Sequence, residues 1–388
     1  MNVPTALQDV RVLELGGGGG FAVPYATRLL ADLGAEVVII EPPGGHPLRA
    51  SGGSFADDAA VAEAVYDFLT RGKRSVTMAL EDPDNDMRAA LQHLVETSDV
   101  VVDGLGPGRL ANLGIADSAV DGVLVHASDW GGSGPYRDRP ATGLVLQAAA
   151  GWVTTRQEPG LPLVQVGGQM HEWIAGSYIA ATVMTARAQA RRTGAAVTAD
   201  FSMFECIHST LPYTRLMADT NVELGRGQTA TTLAPFGVRP CQDGWVGINI
   251  LTGQQWIDAC LLMDLAEFAP LQQEMTLGVG DVDGFERRLL AWLASRTVNE
   301  VVDLGQTLRI PVVPVASGST MTSSPQWLER GFFVPRTSRD GASTLEPGVP
   351  WRLAGTPAAR DARAPTPGED DEAFLGLSGA ATRRGEHA

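Results

Sequence analysis

A run of glycines, Gly16 to Gly20, follows the apolar stretch Val10 to Leu15 and precedes Phe21 to Gly34, where apolar residues recur at helical spacing. Glycines just ahead of a helix let backbone N–H groups close on an anion, which makes Gly17, Gly18 and Gly19 candidate ligand contacts. The pattern Gly17-x-Gly19-x-x-Ala22, with acidic Glu41 about 20 residues on, also fits a dinucleotide fingerprint. A glycine run satisfies almost any glycine template, however, and Glu41 leads into Pro42-Pro43 as strand-ending acids do. A flexible tight turn explains the same residues. Basic side chains gather at Arg71, Lys73 and Arg74, and again at Arg137 and Arg139.

Those clusters matter because the chain is acidic, with 45 Asp plus Glu against 29 Lys plus Arg and a net charge of -16. A polyanionic ligand would need a local basic cluster, while nucleic acid and anionic membrane surfaces are repelled and are not expected partners. Cys206, Cys241 and Cys260 have no paired spacing, so neither a structural zinc, nor another metal site, nor a redox dithiol is expected. No stretch reaches the roughly 18 apolar residues of a membrane span, and Met1 to Gln8 lacks a signal-peptide layout. A cytoplasmic protein is expected.

The elements that must position these residues are legible in part. Val10 to Leu15, Phe21 to Gly34 and Glu36 to Glu41 read as a βαβ unit. Ser75 to Leu80, Asp99 to Val102 and Gly122 to Ala127 suit strands buried on both faces, with a helical segment Asp84 to Thr97 between the first two, and Val197 to Ser202 reads as another strand. Trp173 to Arg192, closed by Gly194, reads as a long buried helix, and Met203 to Asp219 turns helical again. The reading is an α/β protein whose large, doubly wound, Rossmann-like domain covers residues 1–220. A linker and smaller α/β domain occupy 221–329, with Trp245 to Asn249, Gln254 to Met263 and Asp283 to Ala294 as its elements. Residues 330–388 complete the large domain as an extended, proline-rich, core-poor tail.

Several blocks, in order, resemble class III CoA-transferases, the carnitine and bile-acid CoA-transferase type. They are Leu13-Glu14-Leu15, Leu29 to Val37, Glu41 to Gly45, Arg71 to Val76, Gly132 to Pro140, Asp200 to Glu205, Pro235 to Gly244, Pro325-Gln326, Arg330 to Phe333 and Trp351 to Pro357. The resemblance implies ring-shaped subunits, a large domain built from both chain ends, and two rings interlocked as a homodimer. It implies acyl-CoA and a carboxylic acid as substrates, with coenzyme A contacted by Arg71, Lys73 and Arg74. Arg137 and Arg139 are second candidates.

The family's catalytic Asp lies in a pattern like VGVPLADLAAG, and Val166 to Gly176 matches it with Glu172 in the Asp position. The resemblance therefore implies that Glu172 attacks a thioester carbonyl, giving an acyl-glutamyl anhydride and then a glutamyl-CoA thioester. A carboxylate at a helix start is favoured by the free N–H groups there and is expected to stay ionised. Gly167 and Gly168 are the nearest candidate oxyanion donors, and His171 a candidate base. Two departures leave alternatives open. A family loop like ENFRPG reads Asp103 to Gly108 and lacks its Arg, for which Arg109 is the candidate replacement. The related α-methylacyl-CoA racemases carry a His where Arg139 to Leu144 has none, and the small pair Thr142-Gly143 raises the question of room for a bulky acyl group. A CoA-dependent isomerase, racemase or dehydratase, and a non-catalytic acyl-CoA-binding subunit, remain alternatives to transfer.

Overall fold

The computed structural model describes residues 4–16, 20–51, 59–154, 162–211, 219, 223, 237–250, 252–277, 279–337, 341, 343–358 and 363–376. Gly17, Gly18 and Gly19 lie outside them. The apolar runs form one six-stranded parallel sheet: β1 (Arg11–Leu15), β2 (Glu36–Glu41), β3 (Arg74–Thr77), β4 (Val100–Asp103), β5 (Val123–Ser128) and β6 (Val197–Ser202). Their order is β3-β2-β1-β4-β5-β6, so the direction of winding reverses between β1 and β4. In such sheets the crevice beyond the strand C-termini at that reversal is where ligands bind.

Both faces of the central strands are covered, which is why β1, β2, β4 and β5 read as nearly continuous apolar runs rather than alternating ones. Val12, Val37, Val100, Val102 and Val123 pack with α1 (Ala22–Asp32) and α7 (Met170–Thr193). Leu13, Leu15, Val38, Ile40, Val101 and Leu124 pack on the other side with α4 (Asn85–Glu96) and α5 (Arg109–Asn112). Between them in the chain come α2 (Leu48–Ser51), α3 (Ala59–Thr70) and α6 (Gly143–Ala149), and α8 (Met203–Ser209) follows β6. Gly194 ends α7 in the left-handed conformation at φ 69°, as the sequence suggests.

Some boundaries differ from the expected ones. β3 stops at Thr77 instead of Leu80 because its partner β2 ends at Glu41, the residue paired with Thr77, before Pro42. α8 closes at Ser209, and most of the remaining stretch expected to be helical lies outside the described residues. The chain divides into two compact units, Met1–Thr229 with Val334–Ala388, and Ala230–Phe333. The second unit carries an antiparallel sheet of β7 (Gly237–Pro240), β8 (Trp245–Ile248) and β9 (Val312–Pro314). Its core centres on Trp256, Phe285 and Phe268.

The C-terminal segment is not free of structure. The backbone N–H groups of Ser75 and Thr77 donate to the carboxylates of Asp370 and Asp371, and Asp370 N–H donates to the Ser75 carbonyl. This seals the β3 edge of the sheet. Among the described residues no helix is long and apolar enough to cross a membrane.

Candidate active site

Glu172 sits in the first turn of α7, and α7 crosses α1 so that a second helix start meets the same carboxylate. The backbone N–H groups of Phe21 and Ala22 donate to Glu172 Oε2 at 2.9 and 2.8 Å. Two helix N-termini thus converge on one partly buried acid. The approach depends on Gly176, one turn along α7, where a Cβ would stand 2.6 Å from the Ala22 carbonyl oxygen. Trp173 fixes the turn between them, with its ring edge-on to Tyr25 at 4.9 Å and its indole N–H donating to the Gly168 carbonyl.

The Glu172 side chain lines a cavity of about 610 Å³ at the C-terminal ends of β1, β4 and β5. Gly16, Gly20, His46, Asp129, Arg137 and Arg139 share that lining. Oε1 makes no hydrogen bond among the described residues; its nearest basic atom is His171 Nε2 at 3.9 Å. A Cβ at Gly20 would come within 3.3 Å of both carboxylate oxygens. Burial pushes the Glu172 carboxyl above the ordinary carboxylate range, and the Ala22 and Phe21 N–H groups pull it partly back. Asp129 is raised as well, first by burial and then by the negative charge of Glu172. Asp129 and His46 are site residues the sequence did not single out. Their signal is positional, since each lies just past the C-terminal end of a parallel strand.

The other expected residues are distributed differently. Gly167, Gly168 and His171 line a second cavity of about 330 Å³ whose wall does not include Glu172, although His171 Nε2 stays 3.9 Å from Glu172 Oε1. His171 is buried, which pushes its imidazole below the usual range against the pull of Asp129. Gly143 opens no room for an acyl group, because the His171 ring already lies 2.4 Å from where its Cβ would be. Glu41 has no oxygen left for a ribose: it accepts from Arg49, Tyr66, Ser75 and the His46 N–H, and although burial pushes its pKa up, the bonds from Arg49, Ser75 and His46 bring it down to about 2.

The basic cluster before β3 is engaged within the protein. Lys73 is not at a surface: its Nζ donates to Glu14 Oε2, the Pro24 carbonyl and Thr27 Oγ1, each at 2.8 Å. Those three bonds use all three ammonium hydrogens, leaving no donor for a phosphate. They instead clamp the first turn of α1, which holds Glu172, onto β1. Arg71 grips Glu346 through two nitrogens, and Arg74 pairs with Asp370 at 3.0 Å. Arg109 is half-exposed and stands 3.5 Å from Glu81. Arg137 and Arg139 reach the cavity. Arg137 packs against Gly108 with its Nε buried and, among the described residues, unpartnered, and Arg139 stacks over Tyr136 at 4.0 Å. Among the described residues no cluster of metal-ligating side chains is assembled.

The sequence pattern described as CoA-transferase family III matches residues 7–371. The chain is 27% identical to succinyl-CoA–D-citramalate CoA-transferase of Chloroflexus aurantiacus, over 97% of this chain and 95% of that protein. It is 26% identical to succinate–glutarate CoA-transferase of Agrobacterium fabrum, over 95% of this chain and 94% of the relative. In fold it is similar to the crystal structure of Rv3272 from Mycobacterium tuberculosis, with a TM-score of 0.79 at 24% identity over 96% of this chain and all (100%) of that one.

Proposed function

We propose, for a chain that belongs to CoA-transferase family III, that it moves CoA from an acyl-CoA thioester to a carboxylic acid with Glu172 as the nucleophile. The observation that carries the proposal is a partly buried carboxylate with one oxygen held by two backbone N–H groups and the other, among the described residues, unbonded, facing a cavity with two arginines in its wall.

Glu172 Oε1 attacks the thioester carbonyl, the C–S bond breaks, and CoA leaves as a thiolate from an acyl-glutamyl anhydride. The thiolate then attacks the glutamyl carbon, forming glutamyl-CoA and releasing the donor's carboxylate. An incoming carboxylate attacks glutamyl-CoA to form a second anhydride and expel the thiolate. The thiolate takes the new acyl group and returns Glu172 as a carboxylate. Whenever the glutamyl carbon is attacked, negative charge develops on Oε2. The Phe21 and Ala22 N–H groups are the donors poised for it, in place of the Gly167–Gly168 pair suggested by sequence.

The CoA phosphates fit Arg137 and Arg139, which line the cavity, better than Arg71 and Lys73, which are buried in ion pairs, and Arg74, which is exposed and paired with Asp370. The interlocked homodimer belongs to the same proposal, resting on family membership, and light scattering at about twice 40.9 kDa over a wide dilution range tests it. The reaction itself is tested by incubating the protein with a panel of acyl-CoAs and free acids, starting with the succinyl-CoA in the name of the Chloroflexus aurantiacus relative, and identifying every CoA ester by mass spectrometry. A new ester matching the added acid is the expected result. Exchange of α-protons with deuterated water and no new ester would replace transfer by isomerisation; binding without either would leave a non-catalytic acyl-CoA-binding subunit.

A further inference from the structure

The transfer chemistry leaves one wall of the cavity without a task. His46 follows β2, its backbone N–H anchored to Glu41 Oε2 at 2.9 Å and its buried ring lining the cavity. The Leu48 N–H donates to His46 Nδ1 at 3.2 Å. That bond requires Nδ1 to be unprotonated, so a neutral ring carries its proton on Nε2. Burial favours the neutral ring, with the carboxylates of Glu14 and Glu41 opposing it and Lys73 and Arg49 assisting. Nε2 lies beside Gly16, where a Cβ would be 3.2 Å away, and it has no hydrogen-bond partner among the described residues.

The donors in this cavity are therefore of two kinds. Arg137 and Arg139 come from the loop after β5, while His46 comes from the loop after β2, on the other side of the β1–β4 reversal. Guanidinium groups suit anionic oxygens. An uncharged N–H in a buried wall suits an uncharged acceptor, since no net charge has to be desolvated there. We propose that His46 Nε2–H donates a hydrogen bond to a neutral carbonyl oxygen of the bound thioester, either the acyl C=O or an amide C=O of the pantetheine arm, and so positions the thioester in the cavity. The proposal rests on the transfer reading for its ligand but makes a separate claim about which atom of this ring is used.

The two ring nitrogens can be tested apart. His46→Asn keeps an acceptor near Nδ1 for the Leu48 N–H and removes the cavity donor. His46→Gln keeps a donor near Nε2 and gives up the Leu48 contact. The probes are free CoA and a carba-dethia analogue of succinyl-CoA, which retains the acyl carbonyl but cannot transfer; affinities are read by calorimetry and folding by thermal melting. His46→Asn is expected to fold normally and bind the analogue about three- to tenfold more weakly, the worth of one neutral hydrogen bond, whereas His46→Gln stays within about twofold of wild type. Weakening confined to the analogue assigns the acyl carbonyl, and equal weakening for free CoA assigns a pantetheine amide. Wild-type affinity in His46→Asn overturns the proposal, as does equal weakening in a folded His46→Gln. If His46→Gln fails to fold, His46→Asn against wild type still decides. A wild-type protein that binds neither probe overturns the transfer reading itself.

Discussion

Replacing Gly176 by Ala puts a methyl group 2.6 Å from the Ala22 carbonyl oxygen and about 3 Å from Tyr25, where α7 packs on α1. Ordinary contact begins near 3.4 Å, so the helices must part by about 0.8 Å. Carried one turn along α7, that shift lengthens the Phe21 and Ala22 bonds to Glu172 from 2.9 and 2.8 Å to about 3.6 Å, beyond useful hydrogen-bond range. Helix propensity alone argues the opposite, since Gly→Ala inside a helix normally gains roughly 0.5–1 kcal/mol. Overpacking costs roughly 1–3 kcal/mol, so the net change should be destabilising. A misplacement of about 1 Å at a reacting group costs about a hundredfold in rate. Urea titration reads the stability, and initial rates of acyl-CoA exchange read the activity. A Gly176→Ala protein that is more stable and fully active would refute the claim that this crossing positions Glu172.

Lys73→Met leaves Glu14 buried without its counter-charge and should lower stability by roughly 3–5 kcal/mol in urea titration, with Glu14→Leu added in the same chain recovering most of it. That double variant should bind CoA as wild type does; a loss confined to CoA affinity would return Lys73 to the ligand site. Glu41, held at a pKa of about 2 against an ordinary 4.5, contributes stability that is complete above pH 4.5 and lost as pH falls toward 2. At about 1.4 kcal/mol per pKa unit this amounts to about 3–4 kcal/mol, so Glu41→Gln should be less stable near neutrality and lose less on acidification, read by thermal melting across that range. Arg137→Ala and Arg139→Ala should each weaken CoA about tenfold or more and flatten its salt dependence, measured by calorimetry at two salt concentrations.

The parallel sheet was legible because its strands are buried on both faces, which writes them as unbroken apolar runs in Val12 to Leu15, Val37 to Ile40 and Val100 to Val102. α7 announced itself by length and by Gly194. β7 and β9 did not, because a four-residue and a three-residue strand, edged with exposed positions, leave no period to detect. In the candidate site, Glu172 was singled out through the pattern around it. Its partners were not, since the Phe21 and Ala22 N–H groups are backbone and lie 151 and 150 residues away. Lys73 misled for a related reason. Flanked by Arg71 and Arg74 it reads as a surface cluster, yet its ammonium meets Glu14, 59 residues earlier, inside the fold. His46 carries no local signature at all, and its meaning comes from which nitrogen the Leu48 N–H occupies.

The central claim is that Glu172 becomes covalently acylated, and trapping tests it most directly. Wild-type protein is mixed with an acyl-CoA it turns over, quenched with hydroxylamine or borohydride, digested and mapped by mass spectrometry, with Glu172→Gln treated in parallel. An amide cannot replace a carboxylate nucleophile, so the account predicts a modified peptide bearing the hydroxamate or the reduced alcohol at Glu172 in the wild type. It predicts no adduct and no transfer in a Glu172→Gln protein that still folds and binds CoA. Transfer by Glu172→Gln at the wild-type rate, or an adduct on a different residue of the wild type, would contradict it.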